Sequence, residues 1–410
     1  MFFINCMLIF SITTLLLFRK KILTAFGLFY IGTIIFLLIG WLSAYFLAEE
    51  MYILNGNTEP LINIVPSIIT FIIIVNLFWF FPHFSSGNQM KNKQINTDVF
   101  INKNINFIVY STFILTVFFL AIINISDAPL FNIGKYTVTE MSYYRNEIFA
   151  TGLISKLNVF RYIVLYLLIP LCFFIRAVGL KRIIIVDIVF IIFSALSLSK
   201  TAIILIIVFY FSGKYLKNRK LIDVLLAILS IVFAFYFIVY FTYYVDLQRS
   251  FGDVFKVLYI RLIATPIALS GLYSTFFEFH QGFRSSVYYT YLFGGEFVRI
   301  AVIAMQNISP TSGGNAPTGL IGMAFPNIPK SYHWFYYLCV ISYIYLFSNL
   351  IGLIKNYTIK HVFVFFLGIL SWFFFLTDPL VALNSYGILY ISGVVIIILL
   401  LQNKQFFKLR

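Results

Sequence analysis

Four arginines and one lysine offer the most specific chemistry in this sequence. Arg145, Arg249, Arg261 and Arg284 each carry a guanidinium. That group grips a phosphate through paired N–H groups and keeps its charge at any physiological pH. Lys200 stands in Ser-Leu-Ser-Lys-Thr, residues 197–201, where Ser197, Ser199 and Thr201 add hydroxyl donors. An ammonium at the centre of a membrane helix costs about 2.5–3.5 kcal/mol, although a lysine at a helix end can reach out to water. Lys200 therefore reads either as such a snorkelling residue or as a fixed cation facing a lipid phosphate. The arginines have local readings too, Arg249 paired with Asp246 or Asp253 and Arg145 with Glu140 or Glu147. Together, such cations suit a reaction in which negative charge builds up on a pyrophosphate leaving group.

Proton transfer has its own candidates. Glu278 and His280 lie two apart in Glu-Phe-His-Gln-Gly, and an acid or imidazole there can take a proton from a sugar hydroxyl. His333 is a second imidazole in the same region, and Tyr273, Tyr288, Tyr289, Tyr291, Trp334, Tyr336 and Tyr337 are rings that either stack on sugars or mark a membrane interface. Asp187 beside Lys181 and Arg182 reads as a local pair. The sequence has no Asp-x-Asp, no His-x-x-x-His and no cysteine pair, since Cys6, Cys172 and Cys339 are scattered, so neither a metal nor another cofactor is expected. Gly-Gly-Asn-Ala-Pro-Thr-Gly-Leu-Ile-Gly at 313–322 lacks the Gly-Lys-Ser end of a nucleotide loop.

The elements that must position these groups are membrane spans. The chain is 61% hydrophobic, 20% aromatic and only 10% charged over its 410 residues, with a mean hydropathy of +0.97. A soluble domain is about 25% charged. Apolar runs fall near 2–18, 22–47, 61–81, 105–124, 159–175, 183–197, 201–213, 221–244, 335–354, 362–377 and 386–402, which predicts an all-α polytopic protein of about eleven spans, within a range of ten to thirteen. Most of the 29 Lys and Arg lie in the short loops at 19–21, 91–103, 176–182, 214–220, 355–360 and 404–410, and the acids lie mostly opposite. The positive-inside rule makes the basic side cytoplasmic. The net charge of +15 thus orients the chain and meets anionic lipid rather than nucleic acid.

Two outer loops result, at 125–158 and 245–334, within a single transmembrane domain over 1–410. In the larger loop Asp246, Arg249, Asp253 and Lys256 share one helical face, which predicts a helix lying on the membrane. Ile263–Phe279 and Tyr288–Met305 are apolar but broken by Gly, Pro or charge, and are expected to be interfacial or re-entrant.

The order of these features resembles the O-antigen polymerase family, the oligosaccharide repeat-unit polymerases. The likeness covers roughly 140–345 and rests on Ser-Leu-Ser-Lys-Thr, an arginine-bearing outer loop, and Asn315-Ala-Pro-Thr-Gly-Leu-Ile-Gly322 before an aromatic return into the bilayer. The resemblance implies a bacterial cytoplasmic (inner) membrane protein with its active loop in the periplasm. It implies a metal-independent, inverting glycosyltransferase acting on donor and acceptor oligosaccharides linked to polyprenyl pyrophosphate, aided by a chain-length regulator protein. Carried over by position, Lys200, Arg145, Arg249 and Arg261 would hold pyrophosphate, while Arg284, Asn315, Gly319 and Tyr288 would bind substrate or shape the loop. Two rivals are an O-antigen ligase-like transferase, which pairs outer arginine with histidine, and a lipid-linked oligosaccharide flippase. A transporter should show internal repeats, and none is visible in this sequence.

This orientation is testable by reporter fusion. A fusion after Gly282 or Gly313 should read periplasmic and one after Lys217 cytoplasmic. A cytoplasmic signal at Gly282 would remove the outer loop on which the chemistry depends.

Overall fold

The structure is a computed structural model. It describes residues 1–18, 21–22, 24–81, 99–123, 128, 131, 157–178, 184–196, 200–218, 221–239, 252, 256, 259–298, 300, 303–304, 318–355, 357–385 and 388–407. Among them the only strands are Phe283–Arg284 and Glu296–Phe297, paired in parallel, and helices make up nearly all the rest. The all-α membrane class expected from composition is met. Among the described residues five helices are long and apolar enough to cross a membrane: Ala25–Phe46, Glu59–Phe80, Phe160–Val178, Lys330–Gly352 and Ile359–Leu376. Shorter apolar helical stretches of 10–17 residues occupy the six other runs, from Phe2–Leu17 to Ile388–Leu400. Length and composition establish five; eleven stays an expectation.

By internal contacts the chain divides into two compact units, where the sequence suggested one domain. The first unit comprises Met1–Lys91, Tyr259–Asn384 and Ile388–Arg410, and the second comprises Asn92–Leu258 with Ser385–Gly387.

In the first unit, polar side chains close the backbone groups that helix ends leave open. Thr24 accepts from the Gly27 amide at 2.9 Å and starts the second helix. At the opposite kind of end, Lys21 Nζ donates to the carbonyls of Trp79 and Phe81 at 2.6 and 3.0 Å, and Lys360 Nζ donates to Gly352 O at 2.5 Å. Cations at helix C-termini also complement the helix dipole. Indole N–H groups stitch helix to helix: Trp41 donates to Leu61 O at 2.9 Å and Trp372 to Leu28 O at 2.7 Å.

In the Ile263–Phe279 run, expected to be interfacial or re-entrant, every residue of the helix Thr265–Phe276 from Pro266 to Tyr273 is buried, so this stretch is an interior element of its unit. Small residues make that burial possible, as they do where helices approach closely in lipid. A Cβ on Gly271 would stand 2.8 Å from Pro60 O, one on Gly322 would stand 2.9 Å from Ser270 Cα, and one on Gly40 would stand 2.7 Å from Ile263 O. Gly40 directly follows a π-helical stretch, Ile34–Ile39, and it meets a second π stretch, Ile260–Ala264. The Ser43 and Tyr259 hydroxyls are bonded at 2.5 Å across this contact. In the Tyr288–Met305 run, expected to be interfacial or re-entrant, the described residues include a two-turn helix, Val287–Phe293, followed by the Glu296–Phe297 strand, with Gly294 and Gly295 in left-handed conformation between them.

In the second unit, Arg176 and Asp187 form a salt bridge, with the Arg176 side chain almost fully enclosed. Asp187 thus takes part in a local pair, with an arginine on the preceding helix; Lys181 and Arg182 lie outside the described residues. Removing one partner from an enclosed pair leaves the other charge uncompensated. Asp187→Ala should destabilise the protein by about 3–5 kcal/mol, whereas Arg176→Met with Asp187→Leu should recover most of that loss. Thermal unfolding in detergent measures both; equal losses from the single and double variants would show that the pair is not what matters.

Candidate functional site

The chain leaves the buried Thr265–Phe276 helix in extended conformation at Phe277 and Glu278. Glu278 caps a single 3-10 turn, Phe279–Gln281, through reciprocal bonds between its side chain and that of Gln281 and each other's backbone amides. The turn ends at Gly282, whose φ of +78° lies where a residue bearing a Cβ is strained. These constraints hold Glu278 and His280 side by side, His280 Nε2 lying 3.1 Å from Glu278 Oε2, both exposed.

A second segment faces them. Lys330 opens the turn Lys330–Tyr332, and His333 begins the long helix that follows. Ser274, Phe277, Glu278, Phe279, His280, Phe325, Pro329, Lys330 and His333 enclose a cavity of about 350 Å³. The two sides differ in character. Glu278, His280 and Lys330 are exposed, whereas His333 is buried with Nε2 3.1 Å from Ile328 O and its ring edge-on to Phe325 at 5.1 Å. The arrangement offers an acid–imidazole pair for proton transfer, an ammonium for a negative group and aromatic walls for a sugar face. No cluster of metal ligands occurs among the described residues.

Arg284 has a different place from the one its charge suggested. It is 2% exposed, and its Nη1 donates to Phe279 O, Phe283 O and Pro326 O at 3.1, 2.9 and 2.8 Å. Its guanidinium stacks 3.9 Å over the Phe279 ring, and its Nε is buried without a hydrogen-bond partner. Burial lowers its pKa from the usual arginine value. The residue expected to bind substrate is turned inward and supports the cavity wall at Phe279.

Neighbouring polar groups complete this support. Asn327 Oδ1 accepts from the Ser285 amide at 2.8 Å, and Ser285 Oγ donates to Asp378 Oδ2 at 2.8 Å. Asp378 is buried and its Oδ1 accepts from the Leu380 amide at 2.8 Å. Burial together with this carboxylate raises the pKa values of Tyr273 and Tyr289. The roles of Ser285 and Asn327 escaped the sequence. For Asp378 a signal existed: Asp-Pro at 378–379 is an N-cap followed by proline in the first turn of a helix.

The remaining expected residues are dispersed. Gly319 precedes the helix Leu320–Asn327, and a Cβ there would collide with the Phe375 carbonyl, so its role is close packing. Arg261 falls in the π stretch Ile260–Ala264 and Tyr288 in the Val287–Phe293 helix, both placed by backbone alone. Lys200 begins the helix Lys200–Asn218 of the other compact unit. Arg145, Arg249 and Asn315 lie outside the described residues, as does most of the Asp246–Lys256 helix. Of the seven aromatic candidates, Tyr273, Tyr289 and Tyr337 are buried, while Tyr291 and Trp334 are exposed.

Comparison with protein-family models, curated proteins and solved structures finds no match to this chain.

The inward position of Arg284 separates it from Glu278 and His280 in a way that stability measurements resolve. Hydrogen bonds from a charged group contribute about 1.5–3 kcal/mol each. Arg284→Ala should therefore lower the melting temperature and the amount of folded protein clearly. Glu278→Gln and His280→Ala, at exposed positions, should change stability by about 0.5 kcal/mol or less. A wild-type melting temperature for Arg284→Ala would contradict the supporting role.

Proposed function

We propose that this protein joins oligosaccharide repeat units carried on polyprenyl pyrophosphate, at the outer face of a bacterial cytoplasmic membrane, as an O-antigen polymerase does. The observation that carries the reading is the cavity in which Glu278 and His280 meet Lys330 and His333 between aromatic walls, next to the start of a helix long and apolar enough to span a membrane. A donor already activated as a pyrophosphate requires a base for the acceptor hydroxyl and cations for the leaving group. In this reading Glu278, with His280 holding it, takes the hydroxyl proton as the sugar–oxygen bond to pyrophosphate breaks and the new glycosidic bond forms. Lys330 faces the negative group. The pyrophosphate-holding roles expected of Arg145, Arg249, Arg261 and Lys200, the eleven-span count and the periplasmic orientation belong to the same proposal.

The presence of two imidazoles on this cavity favours one second reading, an O-antigen ligase-like transferase that attaches finished chains to a lipid core. The products separate the two. Deletion of a polymerase gene should leave single repeat units on the lipid core without a ladder of longer chains, whereas loss of a ligase leaves the core bare. Glu278→Gln and Lys330→Ala should each lower elongation about 10²–10⁴-fold, the range for a positioned proton-transfer or charge-stabilising group, with the protein level unchanged. Wild-type ladders from both variants would overturn the assignment of this cavity.

A further inference from the structure

The small element that follows the cavity carries an exposed surface for which the proposed reaction has no use. From Tyr291 to Phe297 every residue is exposed, and the sequence there is Tyr-Leu-Phe-Gly-Gly-Glu-Phe. Four of its five side-chain-bearing residues are large and apolar or aromatic, with Tyr291 90% and Leu292 68% exposed. Scattered apolar residues on a surface need no explanation, but a contiguous patch does.

The backbone holds this tip in a defined shape. Gly282, Gly294 and Gly295 all take positive φ, at 78°, 70° and 102°. From Gly282 the chain passes through Phe283–Arg284, the helix Val287–Phe293 and the Gly294-Gly295 turn into Glu296–Phe297, which lies parallel to Phe283–Arg284. Glu296 N donates to Gly282 O at 2.8 Å and Val298 N to Arg284 O at 2.9 Å. These bonds hold the exposed residues as one element.

The buried residue of the same short helix shows what lies next to the tip. Tyr289 is buried, and its hydroxyl meets that of Tyr336 at 3.4 Å. Tyr336 belongs to the first turn of the helix that spans a membrane by length and composition, Lys330–Gly352. That turn has an exposed aromatic set of its own in Tyr332, Trp334 and Phe335. Aromatic rings at the end of a spanning helix mark the headgroup level, where one edge meets hydrocarbon and the other water. The tip is docked on that turn, so it stands at the same level.

We infer that Tyr291, Leu292, Phe293 and Phe297 form an interfacial foot that inserts into the lipid headgroup layer beside the outer end of the Lys330–Gly352 helix. The occupant is lipid and not a protein partner because the tip continues the exposed aromatic set Tyr332, Trp334 and Phe335 at the end of a helix long and apolar enough to cross a membrane. Glu296, the one charged residue in the tip, and Lys330 at the base of the span limit the depth to the headgroup boundary, where an ionised group still reaches water. The foot also touches the cavity: Phe293 meets Phe279, a wall residue, edge to face with ring centres 6.0 Å apart. A lipid-seated tip would therefore fix the cavity wall at the depth of a lipid headgroup.

Fluorescence quenching tests the inference without any substrate, so its outcome is separate from that of the polymerase reading. Trp334→Phe removes the exposed native indole, and Tyr291→Trp then places a reporter in the tip of full-length protein in phosphatidylcholine nanodiscs, both faces of which are open to solutes. The added emission should be blue-shifted and fall about twofold when the lipid carries bromine on its upper acyl carbons, as expected for insertion to the headgroup–acyl boundary. Aqueous iodide should quench it less than the brominated lipid does. Leu292→Trp provides the same measurement should the first variant fold poorly. Stronger quenching by iodide than by brominated lipid, in either folded variant, would overturn the foot.

Discussion

The approach of backbone to backbone around the helix Thr265–Phe276 sets what else this protein can build. A helix enclosed on all sides needs neighbours that come closer than ordinary side chains permit. Gly40, Gly271 and Gly322 supply those approaches, each against a backbone atom of the opposing element. In lipid there is little hydrophobic gain from bringing two apolar helices together, so close van der Waals contact and satisfied polar groups must hold the bundle. The Ser270 and Thr318 hydroxyls, both buried and 2.7 Å apart, belong to the same seam. The position of Phe277 and Glu278 follows from that seam, because they are the first residues after the enclosed helix ends. The cavity is thus anchored at one end to this close packing.

The class of fold was legible in composition because a bilayer imposes length and apolarity on every span. Each apolar run contains a helix. What composition could not separate was a helix wrapped by lipid from one wrapped by protein, since both are apolar all round. The Ile263–Phe279 run shows the ambiguity: Pro266, Ser270 and Gly271 looked like interruptions of a span, yet they are what lets the helix sit inside. The acid–imidazole pair was legible from its spacing in a short stretch ending in glycine, and His333 as a second imidazole of the same region, whereas nothing local marked Lys330 as their neighbour. Arg284 was misleading because charge alone does not reveal direction; three carbonyls, those of Phe279, Phe283 and Pro326, turn it inward. Ser285 and Asn327 bond across 42 residues of chain, and no local pattern announces such a pair.

Polar groups inside this hydrophobic chain are used mainly to finish backbone hydrogen bonding. Lys21 and Lys360 close helix C-termini, Thr24 closes an N-terminus, and indoles reach the carbonyls of neighbouring helices. Tyr30 combines both habits, stacking on Trp79 with ring centres 4.5 Å apart while donating to Asn76 Oδ1 at 2.6 Å. Polar side chains of this kind fix one register among many that apolar packing alone would allow, so the many Phe, Ile and Leu residues need not specify it.

The π-helical stretches at Ile34–Ile39, Val164–Leu168 and Ile260–Ala264 have a consequence for how this chain tolerates changes in length. A π turn holds roughly one more residue than the α turn it replaces while covering the same turn about the helix axis. Losing one residue from Ile34–Ile39 would let the helix close up as regular α with its hydrogen bonds intact, and Gly40 would still face Ile263 and Ser43 still meet Tyr259. The same loss within the regular stretch Ala25–Thr33 has no surplus to draw on, and the faces on its two sides would turn by about 100° relative to one another, the angle per residue of an α-helix. The π stretch is therefore the place where this helix can absorb a change of length and keep its seam.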